Sequence, residues 1–379
     1  MELDAVVVGL GVMGSAALWR LARRGLNVAG IEQFEPGHAR GASHGQSRII
    51  RTAYSEGAGY VPLVREAWRL WDELSSESGT PLVQRTGGLI LAPASSAALD
   101  APVASARAHG LDYEMLDTAA IRRRFPQHLV EDGTNAFHEA DAGFVRAEPA
   151  VLAAVARARA HGARVVTGTA VARIAFPHVE LADGSRLTAR HIVVAAGAWH
   201  RRLLPPLASR IRVVRRLLAW FKPGDPGAYA PDRFPVFIRG DAAGERVWYG
   251  VPSVDGETVK LGVHFWPGED EAVDPVQGAR APDARDSRHL AELIGGRLSG
   301  LDPVPVRVQA CMYSLTGDGD FLVGPVDGLP GITVLGGFSG HGFKFAPIIG
   351  EIAADLATTG QTRWDIGFLS PDRSEVSNA

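Results

Sequence analysis

Gly9-x-Gly11-x-x-Gly14 stands between the β-branched run Ala5-Val6-Val7-Val8 and an apolar stretch over 15–24 with helical spacing. Strand, glycine turn and helix in that order make a phosphate-binding unit. Gly9 permits the tight turn, Gly11 lets the backbone approach a pyrophosphate, and Gly14 lets helix and strand pack closely. The helix N-terminus then stabilises the phosphate charge. The next strand, over 27–31, ends at Glu32, whose carboxylate suits ribose hydroxyls. An acid there disfavours a 2′-phosphate, and with it NADP; FAD and NAD both stay open. Beyond this unit the reactive side chains are few. Cys311 is the single cysteine, on residue type alone a small buried hydrophobe. Lys260, Gly262, His264 and Trp266 alternate onto one strand face. That pattern reads equally well as a solvated sheet face. Lys222, Lys260 and Lys344 are the only lysines in a chain whose generic basic residue is arginine, so position rather than rarity decides their meaning.

Helices and strands must bring these groups together. The spacing predicts a helix over 148–161 stopped by Gly162, a strand over 163–167, and a hairpin over 171–187 around Asp183-Gly184. A buried strand over 191–195 closes on Ala196-Gly197-Ala198, a second place where backbone can meet a dinucleotide, and Val171 offers a further backbone contact. Near the C-terminus a strand over 332–335 precedes a helix over 347–358. A different texture fills the rest. Strands over 87–92, 213–221, 247–251, 258–266 and 306–313 follow one another through polar or Pro/Gly-rich links, which implies antiparallel pairing. The stretches 224–235 and 267–287 read as loops, and the tail after Ser370 as frayed. The expected class is α/β: a Rossmann-like nucleotide domain from 1–85, 145–210 and 315–379, interleaved with an antiparallel-sheet substrate domain from 86–144 and 211–314.

Composition narrows the function. A length of 379 residues suits two or three domains at ~100–200 residues each. A net charge of −3 gives no pull toward nucleic acid or an anionic membrane. No apolar run approaches the ~20 residues that span a bilayer, and the acidic start Met1-Glu2-Leu3-Asp4 is unlike a signal peptide. One cysteine excludes an internal disulfide and a cysteine-built metal site, and no metal is expected. These features predict a cytoplasmic protein.

Three further stretches carry a resemblance. They are Gly41-Ala42-Ser43-His44-Gly45-Gln46-Ser47-Arg48-Ile49-Ile50-Arg51, Gln309-Ala310-Cys311-Met312-Tyr313, and Gly337-Phe338-Ser339-Gly340-His341-Gly342-Phe343-Lys344-Phe345. With the N-terminal turn and Val259-Lys260-Leu261-Gly262-Val263-His264, the chain resembles, nearly end to end, the monomeric sarcosine oxidase and N-methyltryptophan oxidase family of flavoproteins. The resemblance implies FAD, linked through the sulfur of Cys311, and a first domain that is FAD-binding. It implies oxidation of an N-methyl or other secondary amino acid, with O₂ taking the electrons to give an imine and hydrogen peroxide, in a monomer. Oxidation of N-methyltryptophan, a cyclic imino acid or a glycated amino acid is the nearest alternative, followed by a flavin dehydrogenase with another acceptor.

The resemblance also distributes roles. Lys260, with Arg48 as its partner, lies over the flavin face where O₂ is reduced, a place where a fixed cation would stabilise the developing anion. His264 and Tyr249 lie on the substrate side, with Tyr313 beside Cys311. Ser43, His44, Gly340, His341, Gly342 and Phe343 border the cofactor. Arg51 and Lys344 suit a carboxylate clamp, one a planar fork and the other a compact charge. His44 or Arg48 supplies the positive neighbour a reactive thiol needs. Tyr54, Glu56 and Tyr60 fall on a loop and receive no role. Trp248 and Trp266 either shape the substrate pocket or are simply core.

Overall fold

The computed structural model describes residues 2–241, 246–266, 268, 270–294 and 296–374. Its first sheet grows from the N-terminal run. In Leu3–Val8 only Asp4 is not buried, because Ala5 and Val7 enter one apolar layer while Leu3, Val6 and Val8 enter another. A strand covered on both faces belongs inside a parallel sheet. Leu3–Val8 accordingly pairs in parallel with Val28–Ile31 and Arg186–Val194, and Arg164–Val166 and Leu329–Gly336 extend the parallel set on either side. Val171–Ala175, His178–Leu181 and Leu322–Val326 add antiparallel strands.

Helix Val12–Arg23 packs against both Ala147–Ala160 and Ala346–Thr359 on one side of this sheet. Small residues make the approach possible: a Cβ on Gly350 would stand 2.6 Å from the Ala16 carbonyl carbon. The turn before the helix is tighter still. Gly9 has φ +86, and a Cβ there would lie 2.6 Å from the Ala195 carbonyl oxygen. On Gly14 it would lie 1.8 Å from the Gly9 carbonyl oxygen. Two of the three glycines are therefore held by contact with backbone that has no room to yield.

The second sheet has eight strands in the order Arg307–Leu315, Arg212–Phe221, Val259–Phe265, Val247–Val251, Val236–Gly240, Gly88–Pro93, Thr134–Glu139 and Glu114–Leu116. Every neighbouring pair is antiparallel except Val236–Gly240 with Gly88–Pro93, which run parallel. The expectation of wholly antiparallel pairing fails there because these two strands are far apart in sequence and meet without a hairpin. A small third sheet pairs Ala142–Arg146 with both Ser47–Arg51 and Val83–Arg85.

Several elements differ from the expected ones. Tyr60 begins a helix, Tyr60–Ser78, instead of lying on a loop; Gly79 ends it at φ +66. The 171–187 hairpin is two turns, since Phe176-Pro177 separates Val171–Ala175 from His178–Leu181. Within the supposed loop 267–287, residues 271–273 add to the edge of Arg212–Phe221 through Arg215 N to Glu271 O at 2.8 Å and Val273 N to Val213 O at 3.0 Å. Helix Ala284–Ile294 begins in the same stretch; residues 267 and 269 lie outside the described ones. The chain beyond Ser370 is anchored where it is described, with Arg373 paired to Asp318 at 2.7 Å, and residues 375–379 lie outside the described ones. No helix among the described residues is long and apolar enough to cross a membrane.

Gly14→Ala drives a methyl group into a backbone carbonyl. Overpacking commonly costs ~1–3 kcal/mol, and an unyielding neighbour puts this change at about 3 kcal/mol. The measurement is the urea midpoint at unchanged slope. Gly11→Ala meets only the Ser43 Oγ, at 3.2 Å, and should cost under ~1 kcal/mol. Equal losses for the two would mean that chain flexibility, not contact, selects glycine here.

Candidate active site

The parallel strands deliver the first part of the site. Glu32 is buried, and its two carboxylate oxygens accept from Leu10 N at 2.8 Å and Phe34 N at 3.0 Å, which aims the carboxylate across the glycine turn. His38 Nε2 also stands 3.5 Å from Oε1, so Oε2 is the oxygen that keeps a lone pair for a ribose hydroxyl. Ser43 Oγ accepts from Val12 N at 2.9 Å, placing the 41–51 segment at the helix mouth. Ala195 N donates to Val8 O at 2.8 Å, so the exposed turn at Gly197 follows directly beside the glycine turn. Behind it the buried His200 ring places Nδ1 2.8 Å from Gly197 O and Nε2 3.0 Å from Val194 O. Val171 sits further out, paired with Leu181. Its neighbour Thr169 donates to Glu32 O at 3.3 Å.

Buried polar atoms normally have partners. His44 Nδ1 and Nε2 and Ser47 Oγ are buried without one. Together with the glycine turn and the free lone pair of Glu32 Oε2, these orphaned atoms fit a large polar cofactor that continues from the helix mouth toward Ser47. The residues present therefore suit FAD.

Its far end would meet the second sheet. Cys311 is buried among Leu218, Trp220 and Tyr249, with its Sγ 3.6 Å from Arg48 Nη2. Burial raises the thiol, but His44 and the Arg48 guanidinium outweigh it and bring the group to about 7. Lys260, fully buried, donates to the Ser47 carbonyl and stands 5.9 Å from the Trp220 ring centre. Burial and the nearby Arg48 push its ammonium well below the ordinary lysine range. Tyr249 lies across Gly262, where a Cβ would come within 2.4 Å of the phenol ring. His264 Nδ1 is 3.4 Å from the Tyr313 hydroxyl, and burial holds the imidazole neutral, near 4.

A second group of cations lies under the 337–345 segment. Arg51 is buried and donates to Ala53 O and to Glu56 Oε2, the latter at 2.7 Å. Despite burial, Arg51 with His341 and Lys344 holds the Glu56 carboxyl well below its usual range. Lys344 Nζ donates to His341 O at 2.7 Å and to the Tyr54 hydroxyl at 3.1 Å. Burial, then Arg51, lowers its ammonium to about 7. Tyr54 also meets His341 Nδ1 at 2.7 Å. Gly340 has φ +82, and a Cβ there would lie 2.1 Å from the Tyr313 ring. Gly342 is buried beside it, and Phe343 stacks parallel to Trp71 at 6.2 Å and faces Arg48.

Two residues without an assigned role join this group. Glu56 is the carboxylate partner of Arg51, and Glu139 sits beneath the same turn, accepting from Thr52 N at 3.1 Å and Ala53 N at 3.0 Å. Burial raises Glu139 to about 7. Neither has a local signature: Glu139 arrives on a strand far along the chain. The tryptophans point away. Trp248 belongs to the apolar layer on the opposite face of the second sheet, and Trp266 packs against that layer and His289. The strand ends at Phe265, so Trp266 does not continue the face of Lys260 and His264.

Residues 4–356 match the family model described as FAD dependent oxidoreductase. The chain is 36% identical to monomeric sarcosine oxidase of Streptomyces avermitilis, over 99% of each chain, and 36% identical to N-methyl-L-tryptophan oxidase of Salmonella heidelberg, over 97% of each. Among solved structures it is similar to NikD, an unusual amino acid oxidase essential for nikkomycin biosynthesis, with a TM-score of 0.85, 26% identity and full coverage of both chains. L-proline dehydrogenase from P. horikoshii shares the fold, with a TM-score of 0.83 at 21% identity. A phosphate-binding turn, an acid on the second strand and relatives matched along their whole length lead to one assignment: the chain belongs to the FAD-dependent oxidoreductase family and is an enzyme of that kind.

Proposed function

We propose that the enzyme is an oxidase of small N-methyl or other secondary amino acids, with the nucleotide strands forming one domain and the eight-stranded sheet a second that covers the substrate. The observation that carries this reading is the buried pair Arg51 and Lys344, gathered on Tyr54 and His341 with Glu56 already bonded to the arginine. Buried cations need an anion or the burial is costly. A site that holds one carboxylate by a guanidinium beside an ammonium has the chemistry to hold another. The full-length likeness to sarcosine and N-methyltryptophan oxidases supports the same substrate class.

In this reading Arg51 and Lys344 fix the substrate carboxylate, while Tyr249, His264 and Tyr313 line the amine side. Arg48 and Lys260 occupy the side next to Ser47, and Cys311 carries the cofactor through its sulfur. FAD, when bound, supplies the two-electron acceptor that takes the substrate hydride and passes electrons to O₂, yielding hydrogen peroxide. The chain's own contribution is charge and placement. Hydride leaves the carbon beside nitrogen only when the amine is neutral, and buried cations nearby lower the pKa of a bound ammonium. Neutral His264 adds no further positive charge. Lys260, beside Arg48, places positive charge where negative charge develops as O₂ is reduced.

The direct test is anaerobic mixing with N-methyl and cyclic amino acids, followed by air. We expect bleaching of the flavin absorbance, then one peroxide per amine oxidised. Bleaching without peroxide would instead favour a dehydrogenase, and no bleaching by any secondary amino acid removes this substrate class. A secondary amine lacking the carboxylate should bind at least ~30-fold more weakly, the low end of ~2–5 kcal/mol for losing one partner of a buried charge pair.

Attachment through Cys311 has its own readout. Acid-denatured protein should keep its yellow chromophore, and Cys311→Ser should release it to the supernatant. Loss of all flavin from the denatured native chain excludes the linkage.

Lys344 sets the pH dependence of binding. Its pKa is lowered to about 7, so the ammonium is present below that value and lost above it. Turnover should rise with pH as the amine loses its proton, while KM for the amino acid rises as pH climbs past 7. The resulting bell in kcat/KM should lose its alkaline limb in Lys344→Met, with KM high and flat. An unchanged alkaline limb in that variant would assign it to another group.

A further inference from the structure

The ladder between Ser47–Arg51 and Ala142–Arg146 ends with Arg51 opposite Ala142, and the chain turns away through Thr52, Ala53 and Tyr54. All three are buried, so their amides need acceptors or the turn is costly. Side chains from distant segments supply them. Glu139 Oε2 accepts from Thr52 N at 3.1 Å and Ala53 N at 3.0 Å, and Ser105 Oγ accepts from Tyr54 N at 3.1 Å. Thr52 Oγ1 donates to Asp141 O at 3.0 Å and accepts from Trp68 Nε1 at 3.2 Å. The turn also closes on the side chain it carries, because Arg51 donates to Ala53 O.

The same device holds the other end of the strand. Glu148 Oε1 accepts from Gly45 N at 2.7 Å, and its Oε2 accepts from Gln46 N at 3.0 Å. Glu139 and Glu148 precede and follow Ala142–Arg146 in the chain, so the strand bearing Arg48 and Arg51 is gripped at both ends by carboxylates flanking its partner. A carboxylate oxygen binds an N–H more strongly than a neutral acceptor does, and a single oxygen has lone pairs for two amides. Glu139 is 3% exposed and is the last residue of Thr134–Glu139 in the eight-stranded sheet, opposite Gly88. It therefore ties that sheet to the turn that runs from Arg51 to Tyr54. Both buried cations depend on this turn, since Lys344 donates to the Tyr54 hydroxyl.

We propose that Glu139 is a positioning residue for substrate binding: by holding the Thr52 and Ala53 amides it sets the direction of the Arg51 guanidinium and the place of the Tyr54 hydroxyl. The inference rests on the reading in which Arg51 and Lys344 hold the substrate carboxylate. A planar guanidinium binds a carboxylate through two parallel bonds at one orientation, so the turn that aims it decides how well it binds. Glu139 acts here by accepting hydrogen bonds and not by its charge. A negative charge beside Arg51 and Lys344 opposes an incoming carboxylate. The two roles therefore give opposite effects when the charge alone is removed.

Two conservative changes separate reach from charge. Glu139→Gln keeps an acceptor oxygen at the same reach and removes the charge, whereas Glu139→Asp keeps the charge and withdraws the oxygen by one methylene. The readout is the second-order rate of anaerobic flavin reduction in the flavin-loaded enzyme, with N-methylglycine and with N-methylpropylamine, which lacks the carboxylate. A small misplacement of a binding group costs up to ~100-fold, so Glu139→Asp should slow the amino acid roughly 10- to 100-fold and leave the carboxylate-free amine unchanged. Glu139→Gln should keep the amino-acid rate near native or raise it. Glu139→Ala, which also removes the acceptor, takes the place of Glu139→Asp if that variant does not fold. Equal losses in the Asp and Gln variants, a loss shared by both amines, or no loss in the Asp variant overturns the positioning role. The native enzyme is compared first: equal rates with the two amines there would remove the carboxylate reading itself, and the role of Glu139 with it.

Discussion

Lys260 gives its buried ammonium to the Ser47 carbonyl and the face of Trp220, with no carboxylate in ion-pair reach among the described residues. Arg48 is nearby and like-charged, and Arg51 and Lys344 repeat the arrangement under the 337–345 segment. Isolated charge in a low-dielectric interior is strongly unfavourable, and a protein answers it by shifting the pKa, supplying a partner or leaving the place for a ligand. All three answers occur here. Lys260 and Lys344 titrate downward, Glu56 neutralises Arg51, and the orphaned His44 and Ser47 atoms await a polar group. The site is thus a region of positive potential that becomes comfortable when anionic or electron-rich molecules occupy it.

One short strand organises that region. Ser47–Arg51 pairs with Ala142–Arg146, which fixes its direction, and its residues turn to different tasks. The Ser47 carbonyl takes Lys260 from the second sheet. Arg48 approaches Cys311, and Arg51 turns to Glu56 at the chain's exit from the strand. Since Ser43 is bonded to the first turn of the N-terminal helix, the same segment reaches from the helix mouth to Arg51 within nine residues. A change in its register would displace the thiol's positive neighbour and the arginine paired with Glu56 together.

The glycine turn, Glu32 and the parallel strands were legible because their signals are local: a β-branched run, an ordered set of glycines and an acid at a strand end. Five strands of the second sheet were legible too, but Val236–Gly240, Thr134–Glu139 and Glu114–Leu116 were not, and the parallel direction of Gly88–Pro93 with Val236–Gly240 depends on a long connection rather than a turn. The residues missed are those whose meaning is made by distance in space. Glu139 looks like any strand acid until the fold seats it under Thr52 and Ala53. Glu56 lacks a motif of its own, since an ion pair across an irregular turn has no periodicity to betray it. Trp266 was misplaced by extending alternation one residue past the point where the strand leaves the sheet.

On the proposed reading, in which Arg51 and Lys344 hold a substrate carboxylate, Glu56 changes what affinity at that site means. Arg51 is not waiting bare: its Nη2 is 2.7 Å from the Glu56 carboxylate, on which His341 and Lys344 also act. An incoming carboxylate must therefore share or replace this internal partner, and the free energy measured is the difference between two ion pairs in the same setting rather than the strength of one. Lys344 breaks the symmetry. Its hydrogen bonds go to the Tyr54 hydroxyl and to a carbonyl, neither of which carries charge, so a second anion is the group that would restore its ammonium. The arginine then supplies geometry at little net change in charge, and the lysine supplies most of the electrostatic gain. On that reading the fork and the point charge have separate tasks in one site, and the lysine is the group through which binding would respond to pH.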